Sequence, residues 1–159
     1  MPENDTKTEE LNNDLPDQKT QAQWFSCVRK SHQSETTEDY VRLIADLLNA
    51  HQEARLSDLA RRLGVSSPTV SKVLSRLKVE GYTESRPYRS IFLTPKGLEL
   101  AQTCKERHEI VLKFLIALGV SHETAPFDAE GIEHHVSEET LNLFKMFTRA
   151  QEYRLKKKA

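Results

Sequence analysis

The chain has 159 residues, 37% of them apolar, which suffices for one modest core or two small ones sharing a helix. No apolar run approaches the ~20 residues of a membrane span and the first residues are acidic rather than signal-like, so a soluble cytoplasmic protein is expected. The formal net charge of −1 argues against indiscriminate nucleic-acid binding, and Cys27 and Cys104, lacking CxxC spacing, suggest neither a disulfide framework nor a zinc ribbon.

Residues 1–20 are polar and carry little to bury, so disorder is expected there, with order starting near Gln21. Trp24, Phe25 and Val28 predict a short helix docked on the body of the protein. A separate helix is predicted from Thr36 to about Ala50, with Tyr40, Leu43, Ile44, Leu47 and Leu48 at helical spacing. Asp39 then falls in its first turn. Thr36 and Asp39 have capping-box spacing, so an ordinary structural role for this acid stands beside any functional one.

Charge is unevenly distributed downstream. Residues 54–97 hold nine basic side chains against three acids, whereas residues 108–140 hold seven acids against one lysine. The first segment suits phosphate and the second suits cations. Within the basic segment, Leu56, Leu59, Ala60 and Leu63 mark a short helix, Gly64-Val65 a tight turn, and Ser66-Ser67-Pro68 the capped start of a second helix. Val70, Val73, Leu74 and Leu77 form that helix's buried stripe. Its outer face carries Ser67, Pro68, Thr69, Ser71, Lys72, Ser75 and Arg76. Short hydroxyls and long cations after a glycine turn suit a recognition helix in the major groove, the alternative being an ordinary helical hairpin with a polar face. Two short strands around Pro87 follow, a hairpin wing whose Arg86 and Arg89 would reach backbone phosphates.

Thr94-Pro95 opens a helix of about 24 residues, through Leu98, Ala101, His108, Val111, Leu112, Leu115 and Leu118 to Gly119, long enough to bridge two domains. His108 lies beside its apolar stripe, where a hydrogen-bonded core histidine is the commoner occurrence. A short helix is predicted from Ser121 to near Pro126, and another from Asp128. On that second helix Glu130, Glu133 and His134 share an arc of about 100°, with His135 pointing away. Spacing alone leaves two readings, a partial metal site and a solvated acidic face. A last helix starts at Ser137-Glu138-Glu139. Its apolar Leu141, Leu143, Phe144, Met146 and Phe147 need a helical core or a second subunit to cover them. Lys156 to Lys158 are expected to form a mobile, solvated end.

Several strings occur in order: Glu38-Asp39-Tyr40, Ser67-Pro68-Thr69-Val70, Leu93-Thr94-Pro95-Lys96-Gly97, Arg107-His108-Glu109 and Glu130-Gly131-Ile132-Glu133-His134-His135. Over about residues 35–150 this succession resembles the diphtheria-toxin-repressor family of metal-dependent transcriptional regulators, its manganese-responsive members in particular. The resemblance implies a mainly α protein: an N-terminal winged helix-turn-helix domain followed by an all-α dimerisation domain. The corresponding boundaries are a flexible extension over 1–33, a DNA-binding domain over 34–97 and a metal-binding, dimerising domain over 98–159. Matched residue by residue, the family's metal ligands fall on Asp39, His108, Glu130, Glu133 and His134. Three carboxylates and two imidazoles suit Mn²⁺, with Fe²⁺ as the natural competitor.

The resemblance further implies a homodimer that represses metal-uptake genes, on a double-stranded and palindromic DNA operator, when Mn²⁺ clamps one domain to the other. One position departs from the family pattern: an acid is expected three residues after Asp39, and Arg42 stands there. A guanidinium on that face predicts one well-held ion rather than two. Two regulators remain as alternatives, a metal-independent winged-helix protein of the MarR type and an iron-responsive member of the same family. An enzyme is not expected: Leu112 stands where a zincin motif beginning at His108-Glu109 requires its second histidine, neither cysteine has an evident paired base, and no glycine-rich phosphate loop appears.

Overall fold

The computed structural model describes residues 15–85 and 90–158. Its elements in order are α1 (Gln18–His51), α2 (Leu56–Leu63), α3 (Ser67–Val79), β1 (Thr83–Ser85), β2 (Ile91–Leu93), α4 (Pro95–Leu118), α5 (Ala125–Ile132) and α6 (Glu138–Lys158). No described helix is long and apolar enough to cross a membrane.

The largest departure from expectation is α1, a single helix of 34 residues where two were predicted. Between Asp17, whose carboxylate accepts from the amides of Lys19 and Thr20, and the left-handed Gln52, the chain has neither glycine nor proline. Nothing therefore interrupts the helical ladder. Thr36 does not cap anything, and Asp39 lies mid-helix rather than in a first turn. α1 starts at Gln18, earlier than the order expected near Gln21, and the disorder expected for residues 1–14 lies outside the described residues. Trp24 and Phe25 are not docked: they remain 57% and 59% exposed on the N-terminal half of α1.

The winged helix-turn-helix follows the predicted order. α2 ends on Gly64, whose φ of +66° is a left-handed conformation that other residues reach only at a cost. Ser66 then accepts from the Thr69 amide and caps α3, with proline in its first turn. β1 and β2 pair antiparallel, Thr83 opposite Leu93 and Ser85 opposite Ile91. Leu59, Val70 and Leu77 close over Tyr40, Val41, Ile44 and Leu47 of α1, with Leu93 and Ala101 completing the first core. Gly97 sits where the wing meets α4: an added Cβ would lie 2.2 Å from the Tyr82 carbonyl oxygen.

α4 leaves the wing through its cap Thr94, which accepts from the Gly97 amide and donates to the Gly81 carbonyl. Ala101 belongs to the first core. Nearly three turns later Val111 and Leu115 build a second core with Ala125, Ala129 and Leu141. Cys104 is buried between these two sets, and burial pushes its thiol up to about 12. Phe114 stacks on Phe144 at 3.8 Å and meets Phe147 edge-on. Leu143 and Met146 on α6 stay exposed. Ser121 caps only a turn, and Pro126 lies in the first turn of α5 instead of ending a helix of its own. α6 continues through Lys158, so the lysines expected to be mobile extend a helix.

Candidate metal centre and nucleic-acid interface

The long α1 brings a stripe of its residues against α4 and the end of α5. His32, Glu35, Asp39 and Arg42 recur at spacings of three and four, which a helix sets on one side. α4 contributes His108 to the same place. α5 contributes Glu130, while Glu133 and His134 lie just beyond its last residue, in the turn. Glu133 keeps helical dihedrals of −56° and −34°, so the expected angular relation to Glu130 survives the end of the helix.

All five proposed ligands meet, in two adjoining groups that Glu133 joins. One Glu133 oxygen lies 2.5 Å from His108 Nδ1, which is also 3.7 Å from Glu130. The other Glu133 oxygen is 3.6 Å from His134 Nε2, and that nitrogen is 3.2 Å from Asp39. His108, Glu130 and Glu133 present ligand atoms within 4.8 Å of one another. The Glu133 side chain is only 2% exposed. A carboxylate buried to that degree requires cations or strong donors around it.

Arg42 is the nearest such cation. Its two terminal nitrogens fork across the Glu pair, 2.7 Å from Glu133 and 2.5 Å from Glu130. α1 is thus tied to α5 by a bidentate ion pair in which the guanidinium stays charged: burial works against the charge, and Glu130 and Glu133 outweigh it.

Two more residues, for which the sequence carried no expectation, hold the centre in shape. Glu38 accepts from His134 Nδ1 at 2.6 Å, which turns Nε2 toward Asp39 and Glu133. A carboxylate on the far ring nitrogen is the arrangement that orients metal-binding histidines. Arg107 donates to the carbonyls of Glu133 and Val136 and pairs with Glu138, pinning the turn that carries Glu133 and His134. The only sequence signal for either was adjacency, Glu38 to Asp39 and Arg107 to His108.

Burial alone lowers the His134 pKa, but the hydrogen bonds it donates to Asp39 and Glu38 outweigh it and push it up to about 10. The hydrogen bond to Glu133 likewise raises His108, and the one to His134 holds Glu38 below the usual carboxylate range. Protons and Arg42 therefore neutralise a cluster whose donor set, oxygen-rich with two imidazoles, fits a divalent cation of the Mn²⁺ type. An open groove between α1, α2 and α4 leads to Asp39, Arg42, His108 and Glu130.

In the winged helix, Ser67, Pro68, Thr69, Ser71, Lys72, Ser75 and Arg76 are all exposed on α3. Some hydroxyls are engaged locally: Thr69 with the cap Ser66, and Ser75 with the Ser71 carbonyl. Arg76 also reaches Thr37 on α1 and lies 3.7 Å from Glu80, so part of its function is to tie α3 to α1. Lys72 makes no hydrogen bond or ion pair with a described residue and is the clearest free cation on that face. Arg86 and Arg89 lie outside the described residues.

Residues 32–91 match the family model described as iron dependent repressor, N-terminal DNA binding domain. Residues 94–153 match its companion, the iron dependent repressor metal binding and dimerisation domain. The chain is 52% identical over 134 residues to the transcriptional regulator MntR of Escherichia coli O157:H7, covering 84% of this chain and 86% of that one. To the HTH-type transcriptional regulator MntR of Geobacillus kaustophilus it is 41% identical over 100 residues, 63% of this chain and 71% of the other. Among solved structures, a manganese-dependent transcriptional repressor in complex with manganese superposes with a TM-score of 0.65 at 25% identity, over 70% of this chain and 52% of that one. The T. acidophilum IdeR structure gives a TM-score of 0.61 at 28% identity, over 67% and 51%. The chain thus spans about half the length of these solved relatives.

Proposed function

The chain belongs to the iron dependent repressor family, and from that premise we propose that it is a manganese-responsive repressor in which Asp39, His108, Glu130, Glu133 and His134 hold the metal. It is a metal-responsive DNA-binding transcriptional regulator with a metal-binding dimerisation domain, not an enzyme. Mn²⁺ is its regulating metal, by likeness to the manganese-dependent relatives.

The observation that carries the ligand assignment is the convergence of these five side chains around the buried Glu133, drawn from α1, α4 and the end of α5. When bound, a divalent cation supplies concentrated positive charge and fixed coordination directions to carboxylates that otherwise repel one another. Asp39 comes from the helix that packs the first core, and the others come from beside the second. Their joint occupation therefore fixes the angle between the winged helix and the dimerising helices. Glu38 keeps the His134 ring turned toward the site, and Arg107 keeps the turn of Glu133 and His134 from unwinding. Arg42 acts as a resident positive charge, so the centre takes one ion per subunit.

In a dimer the spacing of the two α3 helices must match half-sites separated by whole turns of DNA, which favours a palindromic operator. Lys72, with Arg76, Arg86 and Arg89, would contact phosphates, while Ser67, Thr69, Ser71 and Ser75 lie near base edges. Fixing the interdomain angle raises the population of the binding-competent form, and apparent affinity for DNA rises with it.

The test is operator binding followed during Mn²⁺ titration. The wild-type chain is expected to respond, and Asp39→Ala or Glu133→Ala to lose the response while keeping its helical content; an undiminished Mn²⁺ response in both variants would refute the assignment.

A further inference from the structure

The stripe on α1 continues one turn toward the N-terminus beyond the centre just described, and there it meets a second set of donors. His32 and Glu35, on α1, face His135 in the turn between α5 and α6. The three ligand atoms lie within 4.8 Å of one another. The His32 and His135 rings stand edge to face, 5.0 Å between centroids and 89° between planes. None of the three side chains has a hydrogen bond or ion pair with any described residue. Glu35 is half-buried, so its carboxylate is drawn partly out of water and favours a cation close by.

We propose that His32, Glu35 and His135 form an additional divalent cation site, of the Zn²⁺ class, which fastens the N-terminal half of α1 to the turn after α5. The donor types point to that class. Two imidazoles and one carboxylate form a set in which zinc retains an open position for water, whereas the neighbouring centre is richer in oxygen. Ligands bound to zinc at about 2.0–2.1 Å lie about 3.4 Å apart, so the donors need to close in by at most roughly 1.5 Å. Both histidines are exposed and free to make that adjustment, and their exposure gives an ion direct entry from solvent. Glu35 also lies within 4.8 Å of Asp39 and His134, so the two centres adjoin through one carboxylate. Occupation of the additional site holds α1 a turn further along its length, and adds a second metal input to the same interdomain contact.

This site does not depend on the manganese reading, and the experiment separates the two. Zn²⁺ and Mn²⁺ equivalents are counted by calorimetry and elemental analysis on the full chain, for wild type, His32→Ala and Glu35→Gln. The expected result is two Zn²⁺ and one Mn²⁺ per subunit in wild type, with one Zn²⁺ and one Mn²⁺ in His32→Ala. Co²⁺ provides a second readout, since a d–d absorption band from a four-coordinate site should appear in wild type and weaken in both variants. His32 is exposed and outside both cores, so its loss leaves the fold intact. Equal Zn²⁺ counts in wild type and His32→Ala would overturn the proposal. Loss of Mn²⁺ binding in wild type, with the His32-dependent Zn²⁺ retained, would instead overturn the manganese assignment.

Discussion

Replacing Arg42 tests whether a side chain stands in for a second ion. The Glu133 side chain is 2% exposed and that of Arg42 17%, and the guanidinium forks across two carboxylates. Removing one partner from a buried ion pair costs about 3–5 kcal/mol, because the remaining charge is left without compensation. Here His108, 2.5 Å from the other Glu133 oxygen, retains part of that compensation, and Glu130 is half-exposed to water. A cost somewhat below that range is therefore appropriate, about 2–3 kcal/mol for Arg42→Gln in metal-free protein. At about 2–4 °C per kcal/mol for a chain of this size, the melting temperature should fall by about 4–12 °C in chelator. Saturating Mn²⁺ should narrow that gap, since bound metal takes over the neutralisation of the same carboxylates. Arg42→Glu should go further, raising the Mn²⁺ count per subunit from one to two. The assays are thermal unfolding with and without metal, and ion counting on dialysed protein. An unchanged melting temperature in metal-free Arg42→Gln, or two tightly held Mn²⁺ ions already present in wild type, would refute the reasoning.

Three further outcomes are expected. Lys72→Ala should weaken operator binding across sequences and reduce the slope of log affinity against log salt by about 1, with Mn²⁺ affinity unchanged; a binding isotherm series at several salt concentrations checks it. Gly97→Ala should lower stability by about 1–3 kcal/mol, because the new methyl lies on the Tyr82 carbonyl and the wing must shift to admit it; a denaturant midpoint equal to wild type would contradict that. His134 carries a folded pKa raised to about 10 from 6.5, so its stabilisation of metal-free protein is fully present below pH 6.5 and is lost as pH rises through 10. Melting temperatures in chelator should therefore decline across that window, and a flat or rising profile would exclude the His134 contacts with Asp39 and Glu38.

Where residues punctuate the backbone, the fold was legible. Gly64, Ser66 with Pro68, and Thr94 with Pro95 each mark a helix boundary that the structure contains, because each acts within one turn of the chain. The long α1 was misread for the complementary reason: Thr36 and Asp39 mimic a cap, but a cap is realised only where the preceding residues leave helical conformation, and nothing in 18–51 makes them do so. Periodicity placed Glu130, Glu133 and His134 together. It had no means of bringing Asp39 and His108 to them, since that depends on how α1 crosses α4, and only family resemblance supplied those two. Glu38 and Arg107 escaped altogether, because positioning residues act across the chain on a ring nitrogen and on backbone carbonyls, contacts that leave no spacing of their own.

Cys104 adds a consequence of a different kind. Its thiol lies on α4 one turn before His108 and is held near 12 by burial and by the surrounding negative charge of Glu38 and Glu133. At neutral pH the thiol form therefore dominates over the thiolate, the species that reacts with peroxides and captures soft metals. The sulfur beside the metal centre is therefore chemically silent. A burst of oxidant should leave this cysteine reduced, so that thiol oxidation falls on the exposed Cys27, on the N-terminal half of α1.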